Sequence, residues 1–192
     1  MAQLDFSLAG DSLQAIFERY GPAPFRIDLG CGQSKPKGYI GLDNCSGFPA
    51  QIPNPENLPD IYMDLNYARF PFHDNSCEVV RCSHFLEHSN VDHIVMESYR
   101  VLVEGGTLLI IVPYANSAEG MYPGHSLFFT EKWFHLNIVF QKHFEILEEH
   151  FKESDEFAKF PPELKRLLPF EVARTFLFNA CNEMTLVCRP RK

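Results

Sequence analysis

The sequence predicts a single domain of the α/β class with a doubly wound, mainly parallel sheet and an antiparallel C-terminal edge strand. Short apolar runs alternate with amphipathic segments before residue 114, the pattern of strands connected by helices. The most hydrophobic run, 107–112, is continuous, which is typical of a central strand buried on both faces. Two strand-like runs, 144–151 and 184–188, come late in the chain and predict the antiparallel edge.

Composition and charge restrict the class of function. The 192 residues are 45% hydrophobic and 22% charged, as in an ordinary globular domain. A net charge of −8 argues against a nucleic acid as partner and against docking on an anionic membrane. The chain has no apolar run long enough for a transmembrane segment, no visible secretory signal and no CxxC pair among its six cysteines. We therefore expect a cytoplasmic protein with reduced thiols, and the sequence makes no prediction of oligomeric state.

Local patterns predict each element in order. Asp11–Gln14 has the capping pattern of a helix that ends at Gly21-Pro22. A second helix is predicted over 91–103, with Gly105-Gly106 as its end, because glycine commonly follows the last helical turn. The remaining predictions are strands at 25–29, 38–43, 61–64 and 77–82, a loop at 114–129, and helical segments at 131–139, 162–168 and 170–180.

A glycine turn and three acidic residues accompany the ends of successive predicted strands. Asp28 precedes the turn of Gly30 and Gly32, Asp43 ends the second strand, and Asp64 ends the third. Ligands of parallel α/β sheets bind beyond the carboxyl ends of the strands, where glycine lets the backbone approach closely. A carboxylate there can accept hydrogen bonds from both hydroxyls of a ribose. The sequence therefore predicts a nucleoside-binding crevice.

The spacing argues against a dinucleotide. An NAD or FAD fingerprint needs G-x-G-x-x-G at the start of a helix, with an acid about 20 residues later. Here Lys35 occupies the third glycine position, and Asp43 follows Gly32 by only 11 positions.

Several segments, taken together, resemble a class I S-adenosylmethionine-dependent methyltransferase of the type 11-like group with a short first loop. They are RIDLGCG (26–32), GYIGLD (38–43), Asp64, FPFHDNSCEVVRCSHFLEH (70–88) and ESYRVLVEGGTLLIIVPY (97–114). A later Gly-His…Phe-Thr element lies within 123–130. The resemblance implies a Rossmann-like fold for a single methyltransferase-like domain over 1–192, with a core over about 24–151 and a C-terminal helical insertion and last strand over about 152–192.

The resemblance also implies residue roles toward S-adenosyl-L-methionine as cofactor. The methionine end is assigned to Asp28, Gly30, Cys31 and Gly32, the ribose to Leu42, Asp43 and Asn44, the adenine to Asp64 and Leu65, and the region of the methyl group to Ser83 and His84. His84 and His125 are the candidate catalytic bases, since an unperturbed histidine titrates near neutral pH. The acceptor is expected to be a small molecule or a glycan, methylated on oxygen or nitrogen.

Two alternatives stay open at this stage. The missing third glycine of the motif, where Gln33-Ser34 follows Gly32, is compatible with a non-catalytic S-adenosylmethionine-binding partner module. The H-x-x-E-H pattern at 84–88 is that of a zinc hydrolase when it lies on a helix. Because His84 is predicted to end a strand, we predict no metal site from this pattern.

Overall fold

The computed structural model describes residues 13–45 and 58–192, so that the predicted helix cap at Asp11 and Ser12 lies outside the described residues. The strands are β1 (Phe25–Leu29), β2 (Ile40–Asp43), β3 (Ile61–Tyr62), β4 (Cys77–Ser83), β5 (Leu102–Pro113), β6 (Phe144–Glu153) and β7 (Cys181–Pro190). The helices are α1 (Leu13–Tyr20), α2 (Val91–Val101), α3 (Glu131–Leu136), α4 (Ile138–His143), α5 (Asp155–Ala158), α6 (Pro162–Leu167) and α7 (Phe170–Phe176), with a 3-10 helix at Leu86–His88.

The described strands form one sheet in the order β3-β2-β1-β4-β5-β7-β6. The first five in this order pair in parallel, whereas β7 pairs antiparallel with both β5 and β6. The predicted α/β class and the mainly parallel, doubly wound sheet are confirmed. The last strand in sequence lies between β5 and β6, so the antiparallel edge consists of two pairings.

Apolar residues of the central strands make up the middle of the core. Ile27 and Leu29 of β1 and Val80 of β4 are completely buried, and Leu108 and Ile110 of β5 are 2% and 1% exposed. Parallel strands covered by helices on both faces require such near-continuous apolar runs. Among the described helices, none has the length and apolar character that a bilayer-spanning segment needs.

The predicted end of α2 is wrong. The helix stops at Val101 and β5 begins at Leu102, so that Gly105 and Gly106 lie inside a strand. Cys77 pairs with Leu102 and Val79 pairs with Thr107, so a step of two residues along β4 corresponds to a step of five along β5. A bulge of this kind is the other structural use of glycine in a strand, and Gly105 adopts a φ of +74° in it.

The C-terminal helices also differ in detail from the prediction. The segment 131–139 divides into α3 and α4 at Asn137, whose side chain caps α4 by accepting a hydrogen bond from the Phe140 N–H. A short helix, α5, was not predicted; it is capped by Ser154 in the same way. Both helix starts follow from a polar side chain that bonds to a backbone N–H group of the first turn.

Phenylalanines connect the loop after β5 to the antiparallel edge. Phe129, Phe134, Phe140 and Phe144 are fully buried and contact one another in that order, with ring centroids 5.3, 5.2 and 5.7 Å apart. This row packs α3 and α4 against the start of β6, so the position of the preceding loop depends on it.

We predict that Phe140→Ala lowers the free energy of unfolding by about 3–5 kcal/mol, the usual loss for a buried phenylalanine. The control is Phe176→Ala on α7, where the side chain is 77% exposed, and we expect a change within about 0.5 kcal/mol there. Urea denaturation of both variants measures the difference, and equal losses would contradict the packing role of Phe140.

Candidate functional site

The carboxyl ends of three adjacent strands lie side by side. Leu29 at the end of β1 pairs with Leu42 of β2 on one side and Cys82 of β4 on the other. The next residues along the three strands are therefore Gly30, Asp43 and Ser83. Neighbouring strands are about 4.8 Å apart, so these three residues border one crevice.

The glycine turn needs glycine at both positions, for different reasons. Gly30 and Gly32 have φ angles of +62° and +52°, which disfavour other residues. A Cβ at Gly30 would also lie 2.3 Å from the Phe85 ring, so this position permits the close approach of the segment after β4. A Cβ at Gly32 would meet no atom within 4 Å, which leaves the open side of the turn free for a ligand.

The backbone donors of the turn are already used. The N–H groups of Gly30 and Cys31 donate to the Leu42 carbonyl at 2.9 and 3.3 Å, and the Gly32 N–H donates to the Asp43 carboxylate at 3.0 Å. A pyrophosphate site needs such N–H groups free to point at the anion. The turn is therefore unsuited to a dinucleotide, in agreement with the spacing argument.

Asp43 has acceptor capacity left over. Oδ2 accepts from the Gly32 N–H, and Oδ1 accepts from the Cys45 N–H at 2.6 Å. A carboxylate has about four acceptor positions, so two hydroxyl donors can still bind. Asp43 is half-buried at the strand end, where a ligand can reach it.

Asp28 lies beneath the crevice rather than on its surface. Its side chain is completely buried, and Oδ1 accepts a hydrogen bond from the Arg81 guanidinium at 2.7 Å. Burial raises the pKa of Asp28, an effect that Arg81 opposes. Oδ2 has no hydrogen-bond partner among the described residues. The pair connects β1 to β4 directly below the glycine turn.

The remaining predicted cofactor residues divide by exposure. Leu42 and Leu65 are buried, and Leu42 contributes its carbonyl to the turn. Cys31 is also buried, which raises the pKa of its thiol. Asn44 is exposed one residue beyond the end of β2. Asp64 is exposed two residues beyond the end of β3, which stops at Tyr62 instead of the predicted Asp64, and it accepts a hydrogen bond from the Asn66 N–H at 2.9 Å.

One part of the site was missed by sequence reasoning. Asp60 accepts from the Lys35 ammonium at 2.7 Å, from the Gly41 N–H at 2.8 Å and from the Tyr20 hydroxyl at 3.1 Å. Its side chain is 3% exposed. The cluster fixes the loop that follows the glycine turn, and the only sequence signal for it was an acid directly before β3.

His84 follows β4 with a φ of +50° and is surrounded by glutamates. Its Nε2 lies 2.9 Å from Glu183 on β7, and its Nδ1 lies 3.5 Å from Glu119 and 3.8 Å from Glu87. The side chain is 35% exposed, so a reactant can reach it. The arrangement orients the ring, as a base with a carboxylate partner requires.

His125 lies in the loop after β5, and its Nδ1 is 3.0 Å from the Gly120 carbonyl. Its ring centroid is 4.8 Å from that of His88. His84 and His125 thus have different hydrogen-bond partners, Glu183 and Gly120. Glu87 contacts His84, and its neighbour His88 contacts His125.

The H-x-x-E-H pattern does not form a zinc-peptidase helix in the described chain. His84 has a left-handed backbone, and the 3-10 helix begins only at Leu86. The two histidines of the pattern consequently point to different partners, His84 to Glu183 and His88 to the Gly124 carbonyl.

A cavity of about 460 Å³ opens beyond the end of β5. Tyr114, Glu131 and Arg174 line it and bond to one another, since Glu131 accepts from the tyrosine hydroxyl at 3.0 Å and from the guanidinium at 2.9 Å. Burial raises the pKa of Tyr114 to about 12. The volume is suited to a small ligand.

Comparison with known proteins identifies the fold. Residues 27–110 match a family model for a methyltransferase domain, whereas the curated proteins give no match. A SAM-dependent methyltransferase from Archaeoglobus fulgidus is 17% identical, covers 92% of each chain and superposes with a TM-score of 0.64. One from Methanosarcina mazei is 18% identical, covers 91% of this chain and 96% of that one, and has a TM-score of 0.52.

The same fold also occurs in a protein described by another activity. The [4+2]-cyclase SpnF is 18% identical, covers 92% of this chain and 78% of its own, and has a TM-score of 0.55. These similarities confirm the predicted resemblance to class I methyltransferases and the Rossmann-like fold. Fold alone does not determine the reaction, which has to be argued from the site.

We predict that Gly30→Ala destabilises the protein more than Gly38→Ala. Both glycines have positive φ, and backbone strain of about 1–3 kcal/mol is expected at each. Only at Gly30 does the new Cβ meet a ring, whereas it meets nothing within 4 Å at Gly38; overpacking adds about 1–3 kcal/mol. Urea denaturation of both variants gives the comparison, and equal losses would show that Phe85 moves aside freely.

Proposed function

We propose that the chain transfers a methyl group from S-adenosylmethionine to a small-molecule or glycan-type acceptor, on oxygen or nitrogen, because residues 27–110 match a family model for a methyltransferase domain. The observation that carries the proposal is the juxtaposition of Gly30, Asp43 and Ser83 at adjacent strand ends. The Asp43 carboxylate has acceptor positions left for the two hydroxyls of a ribose. The N–H groups of the turn already donate hydrogen bonds within the protein, which is compatible with a cofactor that has no phosphate.

Each predicted cofactor residue has a place in this proposal. Asp43 accepts hydrogen bonds from the two ribose hydroxyls, and Asn44 lies beside it. Asp64 accepts from the adenine amino group at the end of the third strand, with Leu65 packed below. The turn of Gly30, Cys31 and Gly32 borders the methionine end, above the Asp28–Arg81 pair.

When bound, the cofactor would supply a methyl group attached to a sulfonium sulfur, which leaves as a neutral thioether. The protein must then hold the acceptor in line with the methyl, and such orientation is worth about 7–11 kcal/mol. We assign the base to His84, because it follows β4 directly after Ser83 and has Glu183 as a partner. His84 takes the proton of the acceptor hydroxyl or amine, and Glu183 stabilises the resulting imidazolium.

The charge around His84 favours a neutral or cationic acceptor. Glu119 and Glu183 both lie within 4 Å of the ring nitrogens. Like charges disfavour a phosphate-bearing acceptor, which supports a small acceptor over a nucleic acid. The cavity lined by Tyr114 and Arg174 is of the size that such a molecule needs.

A cytoplasmic location is part of the proposal. All six cysteines are buried free thiols. Buried thiols without a disulfide partner are typical of proteins in a reducing compartment.

We predict that Asp43→Ala weakens S-adenosylmethionine binding at least tenfold, because hydrogen bonds to a charged group are worth about 1.5–3 kcal/mol each. Isothermal titration calorimetry measures the affinity, and Asp92→Ala on the exposed start of α2 is the control with unchanged affinity. Circular dichroism verifies that both variants fold. Unchanged affinity in a folded Asp43→Ala protein would remove the cofactor assignment.

We further predict that His84→Gln lowers turnover by about 10²–10⁴-fold, while cofactor affinity changes less than threefold. Formation of S-adenosylhomocysteine with a panel of small alcohols and amines measures turnover. Equal loss of affinity and turnover would contradict the base role. Cofactor binding without transfer to any acceptor would favour the non-catalytic partner module instead.

A further inference from the structure

A buried carboxylate near the candidate site has no hydrogen-bond partner. Glu87, in the 3-10 helix, is 1% exposed, and neither of its carboxylate oxygens is hydrogen-bonded within the described residues. The Nδ1 atom of His84 is 3.8 Å from Oε1, beyond hydrogen-bond distance. A buried carboxylate without hydrogen bonds is stabilised either by protonation or by a counter-charge such as a bound cation.

Two imidazoles lie beside this carboxylate. One donor atom each from Glu87, His88 and His125 can be chosen so that all three lie within 4.8 Å of one another. The two imidazole rings are 4.8 Å apart and steeply inclined. His88 is exposed and His125 half-buried, so the group opens to solvent on one side.

Hydrogen bonds to the backbone orient both rings. Nδ1 of His88 lies 3.0 Å from the Gly124 carbonyl, and Nδ1 of His125 lies 3.0 Å from the Gly120 carbonyl. A carbonyl only accepts, so Nδ1 is the donor in both bonds, and Nε2 is the atom that carries the lone pair when the ring is neutral. Metal-binding histidines are fixed by the same kind of bond.

The backbone holds the two halves of the group together. The N–H groups of Ser126 and Leu127 and the hydroxyl of Ser126 donate to the Glu87 carbonyl, at 2.9, 3.3 and 2.9 Å. These bonds connect the loop that carries His125 to the 3-10 helix that carries Glu87 and His88. The three donors are therefore brought together by the fold itself.

From this geometry we infer that Glu87, His88 and His125 form a binding site for a divalent transition-metal ion such as Zn²⁺. Two imidazole nitrogens and a carboxylate oxygen suit zinc, whereas Mg²⁺ and Ca²⁺ prefer oxygen donors only. Three protein ligands leave a coordination position open, as in catalytic rather than structural zinc sites. His84 is not a ligand, so the set differs from the H-x-x-E-H pattern.

At the open coordination position, the ion could bind and activate a hydroxyl group of the acceptor. A metal-bound hydroxyl loses its proton far more easily than a free one. An acceptor oxygen bound there would be activated beside His84, a use that rests on the proposed methyl transfer. The metal site itself does not depend on that function.

The test uses tag-free, full-length protein that has been treated with a chelator. Calorimetry with Zn²⁺ should give one equivalent bound per chain. The visible absorption of the Co²⁺ complex should show bands of nitrogen and oxygen ligands. We expect His88→Ala, an exposed position, and His125→Ala each to weaken zinc binding at least tenfold. His150→Ala is the matched control with unchanged affinity, because His150 also pairs with a glutamate, Glu148, at 2.8 Å.

Three results would overturn the site: no zinc bound by the wild type, equal affinity in the two ligand variants and the wild type, or a thiolate charge-transfer band that places cobalt on cysteines. Titration of the same samples with S-adenosylmethionine separates this inference from the proposed function. Cofactor binding without zinc binding would overturn the metal site alone. Zinc binding without cofactor binding would overturn the cofactor assignment alone.

Discussion

The parallel register of β1 between β2 and β4 is the constraint on which the site depends. Leu29 pairs with Leu42 and Cys82, and this alignment brings the glycine turn, Asp43 and Ser83 to one level of the sheet. A shift of one residue would move Asp28 into the apolar surroundings of Ile27 and Leu29 and would separate it from Arg81, so the burial of these residues and the Asp28–Arg81 pair fix the register. The crevice is thus positioned by core packing.

The short connection between β1 and β2 is stabilised by side chains in place of a helix. The dipole of a helix N-terminus can contribute to ligand binding at this position in related folds, but the described loop contains no helix here. The Asp43 carboxylate accepts from Gly32, and Asp60 accepts from Lys35 and Gly41. Asp43 therefore stabilises the loop and borders the crevice at the same time.

The sequence was sufficient for the approximate positions of the strands and for the contact between Asp43 and the glycine turn, because buried runs and strand ends are local signals. The sequence did not predict element boundaries correctly where one residue type has two structural uses. Glycine ends many helices, yet Gly105 and Gly106 form a bulge in β5, and Asn137 caps a second helix within an apolar run. The proximity of His125 to Glu87 depends on hydrogen bonds between distant segments, which no periodicity encodes.

The position of β7 affects the order in which the strands can join the sheet while the chain is being synthesised. Strands β1 to β5 end at Pro113, whereas β6 pairs only with β7 among the described strands. Until residues 181–190 leave the ribosome, β6 and one side of β5 present unpaired backbone groups, the kind of edge that other chains can join. The nascent protein is thus open to aggregation through these strands until β7 inserts between them.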